Sequence, residues 1–197
     1  KLLRAEKNRL GNLQQRPNTP QAVLQSVQRV ITTLEGEQKE IEAAIEELIN
    51  QDPDLKDKAR KLRTIPGVGS VNVLPLLVML VRWDLLTHGQ GTSRELTAYI
   101  GLDPRHYQSG QTIFKRATIS RMGNRTMRHF LYMGALGGVR GQNPLRSFYE
   151  GLVDRGKAKK LALVASARKI LVWSWAIFQQ DTVFDPERVA PISIKTA

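Results

Sequence analysis

The sequence predicts a mainly α protein, in which an antiparallel coiled-coil arm is followed by a helical domain that contains a helix-hairpin-helix. Apolar residues recur at steps of three and four over much of the first fifty positions. A later Pro-Gly-Val-Gly turn separates a basic helical stretch from an apolar one, and helical spacing returns after Asn124. We therefore divide the chain into an arm (1–52), a domain (53–180) and a tail (181–197).

The arm is predicted from a stripe of regularly spaced positions. These positions are Leu24, Val27, Ile31, Leu34, Gln38, Ile41, Ile45 and Leu48. Their spacing is that of a coiled-coil seam, with Gln38 as its polar member. Thr19 and Pro20 predict the helix start, the Thr19 hydroxyl serving as N-cap, and the helix should run to about Asn50. A shorter leucine-containing helix before Arg16 should fold back along it.

The seam has two interpretations, which the sequence leaves open. It serves packing within one chain, or it serves dimerisation, and a polar Gln38 would set the register in either case. We favour dimerisation and expect a homo-oligomer. The far end of the arm is acidic, which makes it a poor surface for DNA.

The helix-hairpin-helix is predicted around Gly67 and Gly69. A short basic helix precedes Pro66-Gly67-Val68-Gly69, and an apolar stretch over 71–81 follows it. Exposed backbone N–H groups in such a turn, next to a helix N-terminus, can hold a phosphate. The alternative is a tight connection that uses glycine only for its positive φ.

The remaining elements follow from caps and periodicity. Thr92 and Ser93 are candidate caps for a helix that Gly101 ends, and 102–119 forms a loop or a small hairpin that turns at Gly110. Helices are expected over 124–138, 144–155 and 159–180. The last contains Trp173, Trp175 and Phe178, which we assign to the core rather than to base stacking.

Composition favours a nucleic-acid partner. The net charge is +12 and the pI is about 10.3. Between Pro104 and Tyr149 no Asp or Glu occurs, although eight cations do: Arg105, Lys115, Arg116, Arg121, Arg125, Arg128, Arg140 and Arg146. Cations without counter-charges repel one another, so we expect DNA or RNA to bind there. The chain lacks a run long enough to span a bilayer, which places it in the cytoplasm without a membrane partner.

The same window bears on catalysis. The chain contains no cysteine, which excludes disulfides and thiolate zinc sites, and its three histidines lack the spacing of a metal triad. Without carboxylates in the window, we expect no metal cofactor in this chain. Catalysis by His106 or His129 is the weaker option, because histidines in basic regions more often touch phosphate. Because the sequence starts at Lys1 rather than Met, within a predicted helix, we expect it to be a fragment of a longer protein.

A serine nucleophile is the remaining chemistry. Ser109 is followed by Gly110 and lies near Arg105, Lys115 and Arg116, which could stabilise charge on a phosphoryl group. Ser120, next to Arg121, is the competitor. For either serine, a hydroxyl that merely caps a turn is the alternative, and the residues alone leave this open.

Four motifs in this order resemble the C-terminal part of DEDD-type insertion-sequence transposases, which are related to Piv-type DNA invertases. They are Ile65-Pro66-Gly67-Val68-Gly69, Ala98-Tyr99-Ile100-Gly101-Leu102-Asp103-Pro104-Arg105, Gln108-Ser109-Gly110, and Ile119-Ser120-Arg121-Met122-Gly123-Asn124 followed by Met127-Arg128. The resemblance implies that Ser109 is the catalytic serine, joined transiently to DNA phosphate. It also implies assembly through the coiled coil, a structured guide RNA, and a separate N-terminal acidic domain that binds divalent metal, Mg²⁺. The chain departs from the family by lacking that domain, and by Val73 where a small residue is usual.

Two functions are therefore carried forward. The first is a transposase or recombinase fragment that binds DNA and guide RNA and supplies Ser109. In it Arg105, Lys115, Arg116, Arg121, Arg125, Arg128, Gly67 and Gly69 bind nucleic acid. The second is a non-catalytic helix-hairpin-helix architectural module, and covalent protein-DNA adducts would distinguish the two.

Overall fold

The computed structural model describes residues 2–109, 113–120 and 122–188, and within 105–109 and 113–118 it describes the backbone. These parts form eight α-helices and one antiparallel hairpin, which confirms the mainly α prediction. The elements are α1 (Leu2–Gln14), α2 (Gln21–Gln51), α3 (Pro53–Leu62), α4 (Ser70–Thr87), α5 (Ser93–Ile100), β1 (Pro104–Ser109), β2 (Ile113–Ile119), α6 (Arg125–Gly138), α7 (Pro144–Asp154) and α8 (Lys159–Gln180). The chain divides into two compact units, with the boundary in the sequence between Lys56 and Asp57.

The first unit is a helical hairpin, as the sequence predicts. Helix α1 folds back on α2 and packs against Val27 and Ile31, which are the buried residues of α2. An ion pair of 2.6 Å between Lys7 Nζ and Glu35 Oε1 also joins the two helices. Both of its side chains are about half exposed, so it adds little to stability and the apolar contact holds the hairpin together.

The seam is only half used within this unit. Beyond Leu34 the apolar seam residues Ile41, Ile45 and Leu48 are exposed. Gln38 donates a hydrogen bond of 2.7 Å to Glu42 on its own helix, rather than to α1. Packing within the chain therefore accounts for the first half of the stripe and leaves its second half uncovered.

The predicted cap of α2 is wrong. The N-cap of α2 is Pro20, which is extended at φ −60° and ψ 137°, and because proline has no side-chain acceptor the helix has no side-chain cap. The Thr19 hydroxyl instead donates to the Leu13 carbonyl at 2.8 Å. Leu13 lies in the last turn of α1, where carbonyls lack intrahelical partners, so Thr19 stabilises the end of α1.

Helix α8 forms the core of the second unit. It packs against α5, α6 and α7. Trp173, Trp175 and Phe178 are buried, which confirms their assignment to the core. The Trp175 indole N–H donates to the Gly91 carbonyl at 3.0 Å, so its polar atom is paired despite full burial.

Residues 181–188, which the sequence assigns to the tail, contact this unit. Asp181 forms a 2.7 Å ion pair with Lys61. The Phe184 amide donates to the Thr64 hydroxyl at 2.9 Å, and its ring lies 4.9 Å from that of Trp173. The segment after α8 therefore covers the end of α3 and part of the core.

Helix α4 has apolar side chains on both its sides. The expectation that no run is long enough to span a bilayer is wrong, because α4 and α8 each have the length and composition to do so, although α8 is largely buried as a core helix. In α4, Val71, Val78 and Leu85 are strongly exposed and follow one another at seven-residue intervals. The sequence analysis noted the apolar stretch but did not separate its buried residues from this exposed row.

Replacing Gly36 with alanine should stabilise the arm. Gly36 is exposed within α2, and an added Cβ would meet no atom within 4 Å. Alanine lowers the entropic cost of the helix, so we expect a gain of roughly 0.5–1 kcal/mol. Thermal unfolding followed by circular dichroism measures it. An unchanged or lower transition temperature would show that α2 is not a continuous helix there.

Candidate nucleic-acid interface

The hairpin β1–β2 places Ser109 at its turn end. In the backbone register, Ser109 lies opposite Ile113 and Tyr107 lies opposite Lys115. Ser109 is the last residue of β1, and the predicted turn residue Gly110 lies outside the described residues. The small hairpin that the sequence allowed is thus present, with the candidate nucleophile next to its turn.

A bulge interrupts the hairpin on the β2 side. Arg105 pairs with Thr118, and the next pair is Tyr107 with Lys115, so β2 has one residue more than β1 in this interval. The extra residue falls at Arg116 or Ala117. Bulges increase the local twist and redirect the strand, and they are frequent next to active sites. The three cations predicted beside Ser109 therefore lie along one twisted ribbon.

Side-chain bonds close the base of this hairpin. The Ser120 hydroxyl donates a short hydrogen bond to the Asp103 carboxylate, and the Ser120 amide donates to the Asp103 carbonyl at 3.0 Å. From α6, the Arg128 guanidinium donates to the carbonyl of Ile100, the last residue of α5, at 2.8 Å. These bonds join the end of α5, the end of β2 and helix α6.

The backbones also approach closely at this base. A Cβ on Gly101 would lie 2.2 Å from the Met122 carbonyl oxygen, and one on Gly123 would lie 2.2 Å from the Tyr99 carbonyl oxygen. Both glycines have positive φ, 79° and 122°. Only glycine combines this conformation with so close a contact. We call the contact formed by Gly101, Asp103, Ser120, Gly123 and Arg128 the hairpin base.

The hairpin base distinguishes the two candidate serines. The Ser120 hydroxyl is partly buried and bonded to a carboxylate, so it has a positioning role in this structure. Ser109 lies at the other end of the hairpin. That Ser109 is the nucleophile stays a prediction, since the described geometry at that position is that of the backbone.

The turn between α3 and α4 packs its backbone against α6. Gly67 has φ +90°, and a Cβ there would lie 2.4 Å from the Gly134 carbonyl oxygen. A Cβ on Gly138 would in turn lie 3.0 Å from the Gly67 amide nitrogen. Three glycines therefore let the turn lie directly on α6, so Gly67 has a packing role whether or not it also meets a phosphate.

Asn72 orders this turn from within α4. Its side-chain N–H donates to the Gly67 carbonyl at 2.7 Å, and its side-chain oxygen accepts from the Gly69 amide at 2.7 Å. The Gly69 amide, expected to face phosphate, thus has a partner in the unbound chain. In the described part of the chain the first amides of α4, those of Ser70 and Val71, lack a backbone acceptor. Asn72 was not predicted as a site residue, although its N3 position after a capping glycine is a signal that could have indicated it.

The other predicted cations differ in their surroundings. Arg125 is exposed at the start of α6, whereas Arg128 is half-buried and bonded at the hairpin base. Arg121 lies outside the described residues. Among the described residues, no three side chains of His, Asp or Glu are grouped so that they could hold a metal ion.

Part of this chain is similar in sequence to known proteins. Residues 59–150 match the family described as "Transposase IS116/IS110/IS902 family". The chain is 35% identical over 151 residues to the pilin gene-inverting protein of Moraxella lacunata, covering 74% of this chain and 44% of that protein. It is 26% identical over 176 residues to an uncharacterized 43.6 kDa protein of insertion element IS110 from Streptomyces coelicolor, covering 87% and 40%.

These matches support a relationship to IS110-type transposases and to pilin-inverting proteins. The matched segment contains the turn at Gly67, the whole hairpin and α6. The chain spans less than half the length of the two curated relatives.

Gly67→Ala and Gly69→Ala should differ sharply in stability. An alanine at position 67 would have to adopt a positive φ, and its Cβ would have to displace α6. We therefore expect the free energy of unfolding to fall by roughly 2–4 kcal/mol. Gly69 has φ −115° and open space around it, so alanine should cost less than about 1 kcal/mol. Chemical denaturation of both variants tests this. Similar losses in the two would refute the packing of the turn on α6.

Ser120→Ala should loosen the hairpin without unfolding the domain. It leaves the partly buried Asp103 carboxylate without its hydroxyl donor, a cost of about 1–3 kcal/mol. Amide hydrogen exchange should therefore speed up in β1 and β2, while α8 keeps its protection. Ser147→Ala, at an exposed hydroxyl on α7, is the matched control. Unchanged exchange in the strands would contradict the role given to the hairpin base.

Proposed function

We propose that this chain is the DNA-binding and serine-bearing part of a DNA transposase or invertase, acting in the cytoplasm. The observation that carries the proposal is the family match over residues 59–150, which contains all four sequence motifs. The pilin gene-inverting protein of Moraxella lacunata adds support, because inverting a gene is a rearrangement of DNA. A net charge of +12 fits a polyanionic partner.

In the proposed reaction the Ser109 hydroxyl attacks a phosphorus atom of the DNA backbone. The Oγ–P bond forms as the P–O bond to one deoxyribose oxygen breaks, and the proton lost by the serine is balanced by the proton that the leaving oxygen takes up, so a phosphoserine link and a free deoxyribose hydroxyl result. The reverse attack by a hydroxyl of another strand releases Ser109 and rejoins the DNA. The link conserves one phosphodiester bond, so no external energy source is needed.

The cations of the hairpin stabilise the reacting phosphate in this proposal. Arg105, Lys115 and Arg116 belong to the same ribbon as Ser109. Negative charge grows on the phosphoryl oxygens during attack, and preorganised cations lower its energy more than they would in water. Arg121 and Arg125 contact neighbouring phosphates, and Arg128 joins them while holding the hairpin base.

The metal and the guide RNA are further parts of this proposal. Mg²⁺ would be held by the acidic residues of an N-terminal domain, where it would activate an oxygen nucleophile or leaving group. A structured guide RNA would share the basic surface with DNA, since both present closely spaced phosphates.

We further propose that the arm forms a homo-oligomer. The uncovered seam residues Ile41, Ile45 and Leu48 support it, because a second copy of α2 would bury them. The acidic residues beside this part of the seam, such as Glu46 and Glu47, keep it away from DNA. Assembly would bring the serine of one protomer to the acidic domain of another.

A non-catalytic architectural module is the second candidate. The turn around Gly67 favours it, since the first amides of α4 could hold a phosphate without any chemistry. This module would dimerise through the arm and bind DNA by shape.

Ser109→Ala in the full-length protein should abolish covalent protein-DNA adducts and leave DNA affinity within about twofold, because one neutral hydroxyl adds little to phosphate binding. Adducts are measured by denaturing gel electrophoresis with end-labelled DNA. Ser120→Ala is the matched control and should reduce adducts without removing them. Adducts at the wild-type level in Ser109→Ala would exclude Ser109, and the absence of adducts in the wild type would favour the architectural module.

A further inference from the structure

A cleft lies between α6 and α8, next to the hairpin base, with which it shares Arg128. Its volume is about 470 Å³, which is within the range of small-ligand sites. Its apolar lining residues are Leu102, Ile119, Val164 and Ala167, of which Leu102 and Ala167 are buried, and we call these four the floor of the cleft. An apolar floor of this size favours a flat apolar group over a hydrated ion.

Polar groups of α6 line the mouth of the same cleft. Arg125, Arg128, His129 and Tyr132 follow one another at helical spacing, so they share one face of α6. Arg125 and His129 are exposed, whereas Arg128 and Tyr132 are half-buried. Arg128 uses one N–H for the Ile100 carbonyl, which fixes the guanidinium and leaves its other donors for a ligand.

The side chains that line the cleft include no carboxylate, and the Asp103 carboxylate at the adjoining hairpin base is bonded to Ser120. Neither α6 nor α8 contains an Asp or Glu. On α8, Lys160 lies one turn before Val164 and Arg168 one turn after it, and both are exposed. A ligand is therefore expected to be anionic at the mouth and apolar at the floor.

We propose that this cleft holds one unpaired nucleotide of a bound nucleic-acid strand. The base lies on the apolar floor beside Tyr132, and its phosphate lies at Arg125 and His129. A paired base is not free to enter the cleft, because its edges and faces are occupied within the duplex. The inference rests on the proposed binding of nucleic acid, but it requires no catalysis by Ser109.

The test compares duplexes that do or do not offer an unpaired base. A fluorescent purine analogue is placed as a single unpaired nucleotide at a strand end, or opposite thymine within the same duplex. We expect the unpaired probe to bind about tenfold more tightly and its fluorescence to change on binding, as for one stacked base. The same two probes are then made in RNA. If the DNA pair shows the preference for the unpaired base, the bound strand is DNA, and if the RNA pair shows it, the bound strand is RNA.

Tyr132→Ala should remove this preference while binding of the paired probe is kept. Because Tyr132 is half-buried, Val164→Trp serves as a second variant that fills the cleft from α8. Arg140→Ala removes an exposed cation outside the cleft and is the control for a general loss of phosphate binding, so it should weaken both probes alike.

The outcomes separate the inference from the proposed function. Equal affinity of the wild type for paired and unpaired probes would overturn the nucleotide cleft and leave the proposed function standing. A preference that survives both Tyr132→Ala and Val164→Trp would also overturn it. Failure to bind any probe would overturn both, and would favour an acidic or aromatic protein side chain as the occupant.

Discussion

The close approach of two backbones at the hairpin base is the constraint on which the proposed site depends. A two-stranded hairpin alone is marginally stable in water, so a residue at its turn needs support from elsewhere. Here Gly101 and Gly123 let the backbone before β1 lie in contact with the backbone after β2. Hydrogen bonds from Ser120 to Asp103 and from Arg128 to the Ile100 carbonyl join the same segments. The hairpin is thereby fixed to α5 and α6, which pack against the core helix α8.

A second close approach, at Gly67, fixes the other candidate surface to the same helix. Gly134 and Gly138 leave room on α6 for the turn, and Asn72 holds the turn in shape. Helix α6 therefore contacts both the turn before α4 and the hairpin base.

Much of the fold could be predicted from the sequence, because periodicity and breakers are local. The seam from Leu24 to Leu34, the cap at Thr92 and the buried Trp175 are cases in which a local pattern sufficed. The Thr19 cap failed, since the hydroxyl found a carbonyl of the preceding helix rather than an amide of its own. A pattern within one helix cannot show which partner a side chain will choose.

The site could be predicted only in part. Residue chemistry alone put Ser109 first and left Ser120 as a competitor, and the family resemblance then favoured Ser109. The hydrogen bond that gives Ser120 a positioning role joins it to Asp103, seventeen positions away. The sequence-based prediction also missed Asn72 and the cleft beside Tyr132, since both arise when separate helices come together. The packing roles of Gly67, Gly101 and Gly123 likewise depend on neighbours that are distant in sequence.

The most direct test of the account is to locate the DNA attachment by mass spectrometry. A trapped adduct of the full-length protein with DNA would be digested with protease and nuclease, and the peptide that carries a nucleotide would be sequenced. The account predicts a phosphodiester on Ser109. A nucleotide on Ser120 or on any residue outside the hairpin would contradict it.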